Sequence, residues 1–191
     1  MPRHRPPAPS PALVTRSAVM APRAGDPAPL DEVGLLWVLA TERPTPVFDW
    51  ERYEVVDEVL LVGGMLAPPA GQVPLLDTHS RYSVRDVLGH VRDFASAMED
   101  GFAAVTGRVF FADDPASRSA ADKILAGHIT DGSVGYRQLK SIWVPDGEQI
   151  TFGGRLYAGP VRLTYQWELR EFSATPIGAD ILAKAKQGGT Q

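Results

Sequence analysis

The chain has no cysteine. That removes disulfides, thiolate catalysis and cysteine-ligated zinc together, and it suits a cytoplasmic setting. Positive charge does not predominate. A net charge of −4 and a pI near 5.5 argue against a nucleic-acid surface spread over the whole chain. No apolar run approaches the roughly 18 residues a membrane helix needs, and Gly34–Ala40 is too short and soon followed by charge. Residues 1–30 lack the apolar core of a secretory signal. The four histidines show no His-Glu-x-x-His or comparable metal-ligand spacing, and no glycine-rich phosphate loop is present. No metal or cofactor is therefore expected. What remains is a chain of 191 residues and 44% hydrophobic content, enough for one domain with a real core.

Residues 1–30 hold 8 of the 17 prolines, four arginines and a single acid, Asp26. Such a segment buries too little apolar surface to offset its ordering entropy, which predicts a disordered arm. An Arg-rich, acid-poor start resembles a transit peptide, but its prolines would break the amphipathic helix, and Met20 is a second candidate for the initiating residue. A folded domain is expected over 31–186 and a flexible tail over 187–191. Strands are predicted over 32–39, 53–65 (ending at Gly63-Gly64), 73–76, 84–94 and 102–111, with interruptions at 43–46 and 67–71. One helix is predicted from about 115 to 126. Asp114 suits its N-cap, Pro115 its first position and Gly127 its stop, with Ala121, Ile124 and Leu125 on one face. Strands outnumber helices, so the expected class is α+β, mainly β, built as a barrel or sandwich with a few helices.

The most regular strand is 161–169. Val161, Leu163, Tyr165, Trp167 and Leu169 alternate with Arg162, Thr164, Gln166, Glu168 and Arg170. One face is buried and one wet. One more step of the alternation puts Glu171 on the buried face, where a carboxylate needs a partner. A local bulge could turn it outward.

Two other segments bear on chemistry. His79 follows the short apolar run 73–76, and Ser133 sits between Gly132 and Gly135 at a strand entrance, 54 residues later. A serine hydroxyl is a weak nucleophile until a base takes its proton, and histidine is the usual base. Each residue also has an ordinary reading: His79 as a solvated loop residue, Ser133 as part of a turn. Gly132-Ser133-Val134-Gly135 is not the Gly-x-Ser-x-Gly elbow of α/β-hydrolases, since the first glycine is one residue too close. Asp77 could orient His79. Glu171 could hold an imidazole in one tautomer, as the acid of a triad does, or form an ion pair with an arginine. Glu168 is the rival acid, on the expected wet face. His128 follows a helix stop and could satisfy free carbonyls; His90 lies in a strand-like run and is expected to be structural. The four tryptophans suit core or rim positions.

The ordered blocks resemble the tailed-phage prohead maturation protease family, which is related to the herpesvirus assemblins. Val73-Pro74-Leu75-Leu76-Asp77-Thr78-His79 resembles the run ending in that family's catalytic histidine. Asp86–Val91 resembles the glycine-bearing strand after it. Ala126–Tyr136 resembles the glycine turn and Ser-[Ile/Val]-Gly-Tyr nucleophile block, and Trp167–Pro176 the closing Glu-Val-Ser block. The match spans about 32–185. Phe172 stands where valine is more usual, and Thr78 where an acid often precedes the histidine. The resemblance implies a compact assemblin-like β-barrel ringed by helices. It implies a serine endopeptidase with Ser133 as nucleophile, His79 as general base and Glu171 as third member, the position where assemblins use a second histidine. The implied partners are the phage major capsid protein and scaffold segments, and often the protease itself. The implied setting is the assembling procapsid in the host cytoplasm, and a homodimer follows by analogy with assemblins. No nucleic acid or membrane partner is expected. A non-catalytic capsid-assembly or scaffold-binding protein on the same fold is the alternative.

Overall fold

Strand-forming residues dominate the folded region, and a computed structural model describes the whole of residues 34–177 together with the backbone of 14–18. The strands are β1 (Val14–Ala18), β2 (Leu35–Thr41), β3 (Thr45–Asp49), β4 (Glu54–Leu60), β5 (Met65–Leu66), β6 (Gln72–Asp77), β7 (Val87–Glu99), β8 (Phe102–Phe111), β9 (Asp131–Val144), β10 (Gln149–Phe152), β11 (Arg155–Ala158) and β12 (Val161–Thr175). Among the described residues there is one α-helix, α1 (Pro115–Leu125), and no helix is long and apolar enough to cross a membrane. The chain is mainly β, as the predicted strands and their alternation imply. The main ladder runs β1-β9-β12-β6-β7-β8-β2, and among the described residues no pairing of its two ends closes it into a barrel. β4 and β5 also pair with β12, β3 pairs with β4, and β10 and β11 form a separate hairpin.

Two expectations change at the amino-terminal side. Val14–Ala18, inside the stretch expected to be disordered, forms an antiparallel strand along β9. These five residues contain no proline and include valine and threonine, so they can fill a sheet edge. The remainder of that arm and residues 178–191, with the expected tail, lie outside the described residues. The interruption at 43–46 is shorter than expected: Pro46 lies inside β3, which pairs only with β4 and so tolerates a missing N–H.

The main core joins Trp37 and Leu39 of β2 to Leu75, Val91, Val109, Val134, Tyr136, Trp167 and Phe172. Trp37 meets Phe172 edge to face at 5.0 Å, although three strands separate β2 from β12 in the ladder. The sheet therefore curls so that its inner face closes on itself. Gly132 permits this approach, because a Cβ there would lie 2.2 Å from the Phe172 ring.

The helix forms for the predicted reasons. Asp114 accepts N–H groups of Ala116 and Ser117, and Gly127 takes a left-handed turn (φ 75°) past the end. Gly127 N–H donates to Ile124 and His128 N–H to Lys123, a Schellman stop. It is thus the main chain of His128, not its ring, that satisfies the carbonyls. The buried face is Ser117, Ala121 and Ile124; Leu125 is half-exposed.

The wet face expected for β12 is also not wet. Arg162 and Thr164 are buried, because β4 pairs beside them and sets Glu58 opposite Arg162. Glu58 accepts from Arg162 Nε at 3.1 Å, from the Thr164 hydroxyl and from the Tyr136 hydroxyl, and Arg162 also reaches Asp49 at 2.6 Å. One cation thus serves two buried acids.

Arg162→Met should therefore leave both acids without a cation and cost about 3–5 kcal/mol, the usual penalty for an uncompensated buried charge. Urea unfolding of the two proteins measures it; a loss below about 1 kcal/mol would contradict the network's role. The Ser117 hydroxyl, then the backbone N–H groups, hold the Asp114 carboxyl below its ordinary 3.8. A depressed folded value contributes stability above the unfolded pKa that is lost as pH falls through the folded one. The stability gap between the wild type and Asp114→Ala should shrink as pH drops below 3.8, read from urea midpoints across that range.

Candidate functional site

Strand β6 ends at Asp77, and the next two residues turn sharply. Thr78 and His79 both adopt left-handed backbone, with φ of 46° and 61°, a conformation that costs a non-glycine residue roughly 1–2 kcal/mol. β12 holds the turn in place. Thr78 N–H donates to the Ala174 carbonyl at 3.0 Å, His79 N–H to Ser173 Oγ at 3.0 Å, and Ser80 N–H to the Asp77 carbonyl at 2.8 Å. The Asp77 carboxylate accepts the Thr78 hydroxyl at 2.8 Å, so the acid two residues before the histidine is engaged elsewhere.

The His79 ring instead meets Glu171. Nδ1 lies 2.8 Å from Glu171 Oε1. An ionised carboxylate only accepts, so Nδ1 carries the proton and the neutral ring keeps its lone pair on Nε2. His79 is about one-quarter exposed, while Glu171 is buried. The second carboxylate oxygen accepts the Ser173 hydroxyl at 2.7 Å.

Glu171 is buried as its position in the alternation predicts, but on the other face. The register between β12 and β9 shifts between Leu169 and Glu171, where Leu169 pairs with Tyr136 and Glu171 with Gly135. Arg170 is the extra residue of a bulge. Before it Trp167 and Leu169 face the core; after it Phe172 and Ala174 do. Glu171, Ser173 and Thr175 therefore point to the outer face, where the His79 turn covers the carboxylate.

Ser133 shares that face. It pairs with Ser173 on β12 and with Ser17 on β1, and Gly135 beyond it pairs with Glu171. Ser133 is therefore two residues along from the partner of the acid, on the same face of the strand beside it. It is 2% exposed. Gly132 and Gly135 make room for side chains. Gly132 accommodates Phe172, and a Cβ on Gly135 would fall 2.0 Å from Glu171 Oε1.

The other candidates lie apart. Glu168 binds Arg137 Nη2 at 2.6 Å, and that bond, foremost among its neighbours, holds its carboxyl below the ordinary value. His90 stacks on Phe110 at 5.1 Å; burial, then Arg92, lowers its pKa. Trp37 and Trp167 are core residues, whereas Trp50 is exposed. A surface hollow lined by Gly63, Gly64, Leu66, Lys140, Tyr165 and Gln166 contains none of the site residues. Among the described residues no group of three or more His, Asp or Glu side chains could hold a metal ion. The role that sequence reasoning missed is that of Ser173, which it placed only as the serine of the Glu-Val-Ser-like block. A second signal was its place two positions after Glu171, on the same face of an extended strand.

Comparison with protein-family models, curated proteins and solved structures gives no match for this chain.

The tight approach at Gly135 is directly testable. Gly135→Ala should destabilise by about 1–3 kcal/mol through overpacking. In a Glu171→Ala background the same change should cost far less, so the two substitutions should be strongly non-additive in urea unfolding. Additive costs would mean that the carboxylate does not press on Gly135.

Proposed function

We propose that the chain is a serine endopeptidase that matures a phage procapsid by cutting scaffold and capsid-protein segments, and itself where its own sequence is accepted. The observation that carries this reading is the His79 Nδ1–Glu171 bond, made on the same sheet face as Ser133. It orients a histidine with Nε2 as its basic nitrogen. The ordered sequence blocks support the choice of reaction and substrate, and the mainly β, curled sheet is compatible with the assemblin-like architecture they imply.

In the proposed reaction His79 Nε2 takes the Ser133 proton as Oγ attacks a peptide carbonyl carbon. The imidazolium that forms is stabilised by Glu171, which stays ionised. The proton then passes to the leaving amine, the C–N bond breaks and an acyl-enzyme remains. Water attacks the ester with His79 again as base, which releases the acid and restores the Ser133 hydroxyl. No metal or cofactor enters these steps. The reaction is placed inside the assembling procapsid, in the host cytoplasm.

One observation favours a second reading. Ser133 is 2% exposed, which suits a non-catalytic assembly factor that keeps the fold and binds scaffold or capsid protein. Two measurements separate the readings. Co-expressed with its capsid and scaffold proteins, the wild type should process them and Ser133→Ala should not. A fluorophosphonate should label the wild type and fail on Ser133→Ala. Glu171→Gln should cut the processing rate by about 10⁴-fold, because an amide can favour the wrong tautomer. Processing that survives Ser133→Ala would sink the protease reading, and unlabelled, unprocessed wild type would favour the assembly factor.

A further inference from the structure

Ser173 is a buried hydroxyl with two partners, both in the His79–Glu171 unit. Its oxygen accepts the His79 main-chain N–H at 3.0 Å and donates to Glu171 Oε2 at 2.7 Å. Glu171 Oε1 in turn faces His79 Nδ1 at 2.8 Å. These contacts close a ring: His79 backbone, Ser173 hydroxyl, Glu171 carboxylate, His79 imidazole. A histidine held only by Nδ1 could swing with its loop. Here the backbone and the ring of the same residue are fixed to neighbouring groups on one strand. The carboxylate is fixed as well, since each oxygen has its own donor.

Ser173 is also the cross-strand partner of Ser133, so this anchor stands beside the proposed nucleophile. It is not a rival nucleophile. Its proton is directed at Glu171, its oxygen takes a main-chain N–H, and it is fully buried.

We propose that Ser173 is a positioning residue of the site. It fixes the left-handed His79 turn and the Glu171 carboxylate together, and so sets the tautomer and direction of the imidazole presented to Ser133. The kinetic consequence rests on the serine-protease reading; the structural one does not. Positioning errors of about 1 Å can cost on the order of 10²-fold in rate.

The test uses the full chain and three variants: Ser173→Ala, Glu171→Gln and Thr175→Val. Thr175 lies two residues on, buried on the same strand face, and its hydroxyl donates to Ile177. It controls for loss of a buried hydroxyl outside the ring of contacts. Nitrogen-15 imidazole spectra read the His79 tautomer without any need for activity. The wild type and Thr175→Val should show the Nδ1–H form. Ser173→Ala, by freeing the His79 turn and the Glu171 carboxylate from each other, should break the Nδ1 contact in part of the still-folded population and raise the Nε2–H fraction there, in the direction of Glu171→Gln. On a peptide cut from the processed capsid protein, Ser173→Ala should lower kcat about 10–100-fold with KM little changed, and Thr175→Val should change neither.

If Ser173→Ala fails to fold, Ser173→Cys gives the same reading, since a thiol fills the space but is too weak a donor and acceptor to hold both contacts. An unchanged tautomer in a folded Ser173 variant overturns the proposal whatever the kinetics. A shifted tautomer in a chain whose Ser133 proves unreactive keeps Ser173 in its role and removes only the protease reading.

Discussion

Strand β12 is paired along most of its length, by β9 on one side and by β4, β5 and β6 in succession on the other. Both acids that matter to the molecule depend on that register. Near the start of β12, pairing with β4 sets Arg162 against Glu58. Near its end, pairing with β6 lets the turn after Asp77 dock on Ser173 and Ala174, which delivers His79 to Glu171. Pairing with β9 places Ser133 opposite Ser173. A one-residue slip would turn each of these side chains to the other face. Apolar packing defends the register: Trp167, Leu169, Phe172 and Ala174 all reach the main core, so a slip would exchange large apolar groups for polar ones.

The bulge at Arg170 shows what period-two reading can and cannot reach. Alternation from Val161 to Leu169 correctly marked Glu171 as buried, yet the physical route differs. The extra residue sends Glu171 out of the core face, and the His79 turn re-covers it. Nothing local in the sequence signals a bulge, which exists because β9 and β12 must keep both Tyr136 and Phe172 inward. Arg162 and Thr164 failed as wet-face residues for a related reason. Their burial comes from β4, a strand about a hundred residues earlier, and a one-strand pattern contains no information about its neighbours. The helix was legible almost to the residue because capping is local: Asp114, Pro115 and Gly127 act within a turn of themselves. The role of Ser173 was overlooked because a serine in a strand is chemically ordinary until its partners are known.

Glu58 and Glu171, two of the buried carboxylates around β12, are satisfied in different ways, and the difference bears on function. Glu58 is fully buried and answered by a guanidinium and two hydroxyls. Its cationic partner is the Arg162 guanidinium, which it shares with Asp49. That arrangement holds strands together and offers nothing to a reaction. Glu171 takes its hydrogen bonds from an imidazole and a hydroxyl. Neither is a fixed cation. A carboxylate in that position is best compensated when the imidazole gains a proton, which is the moment the proposed mechanism requires, as His79 removes the proton from Ser133. Arg170, next to Glu171 in sequence, turns to Glu168 instead; had its guanidinium reached Glu171, the acid would be equally well buried and the histidine would gain less from it. Among the described residues, the lack of a guanidinium or ammonium partner is the feature that separates this acid from Glu58, and it makes the orientation imposed by Ser173 consequential.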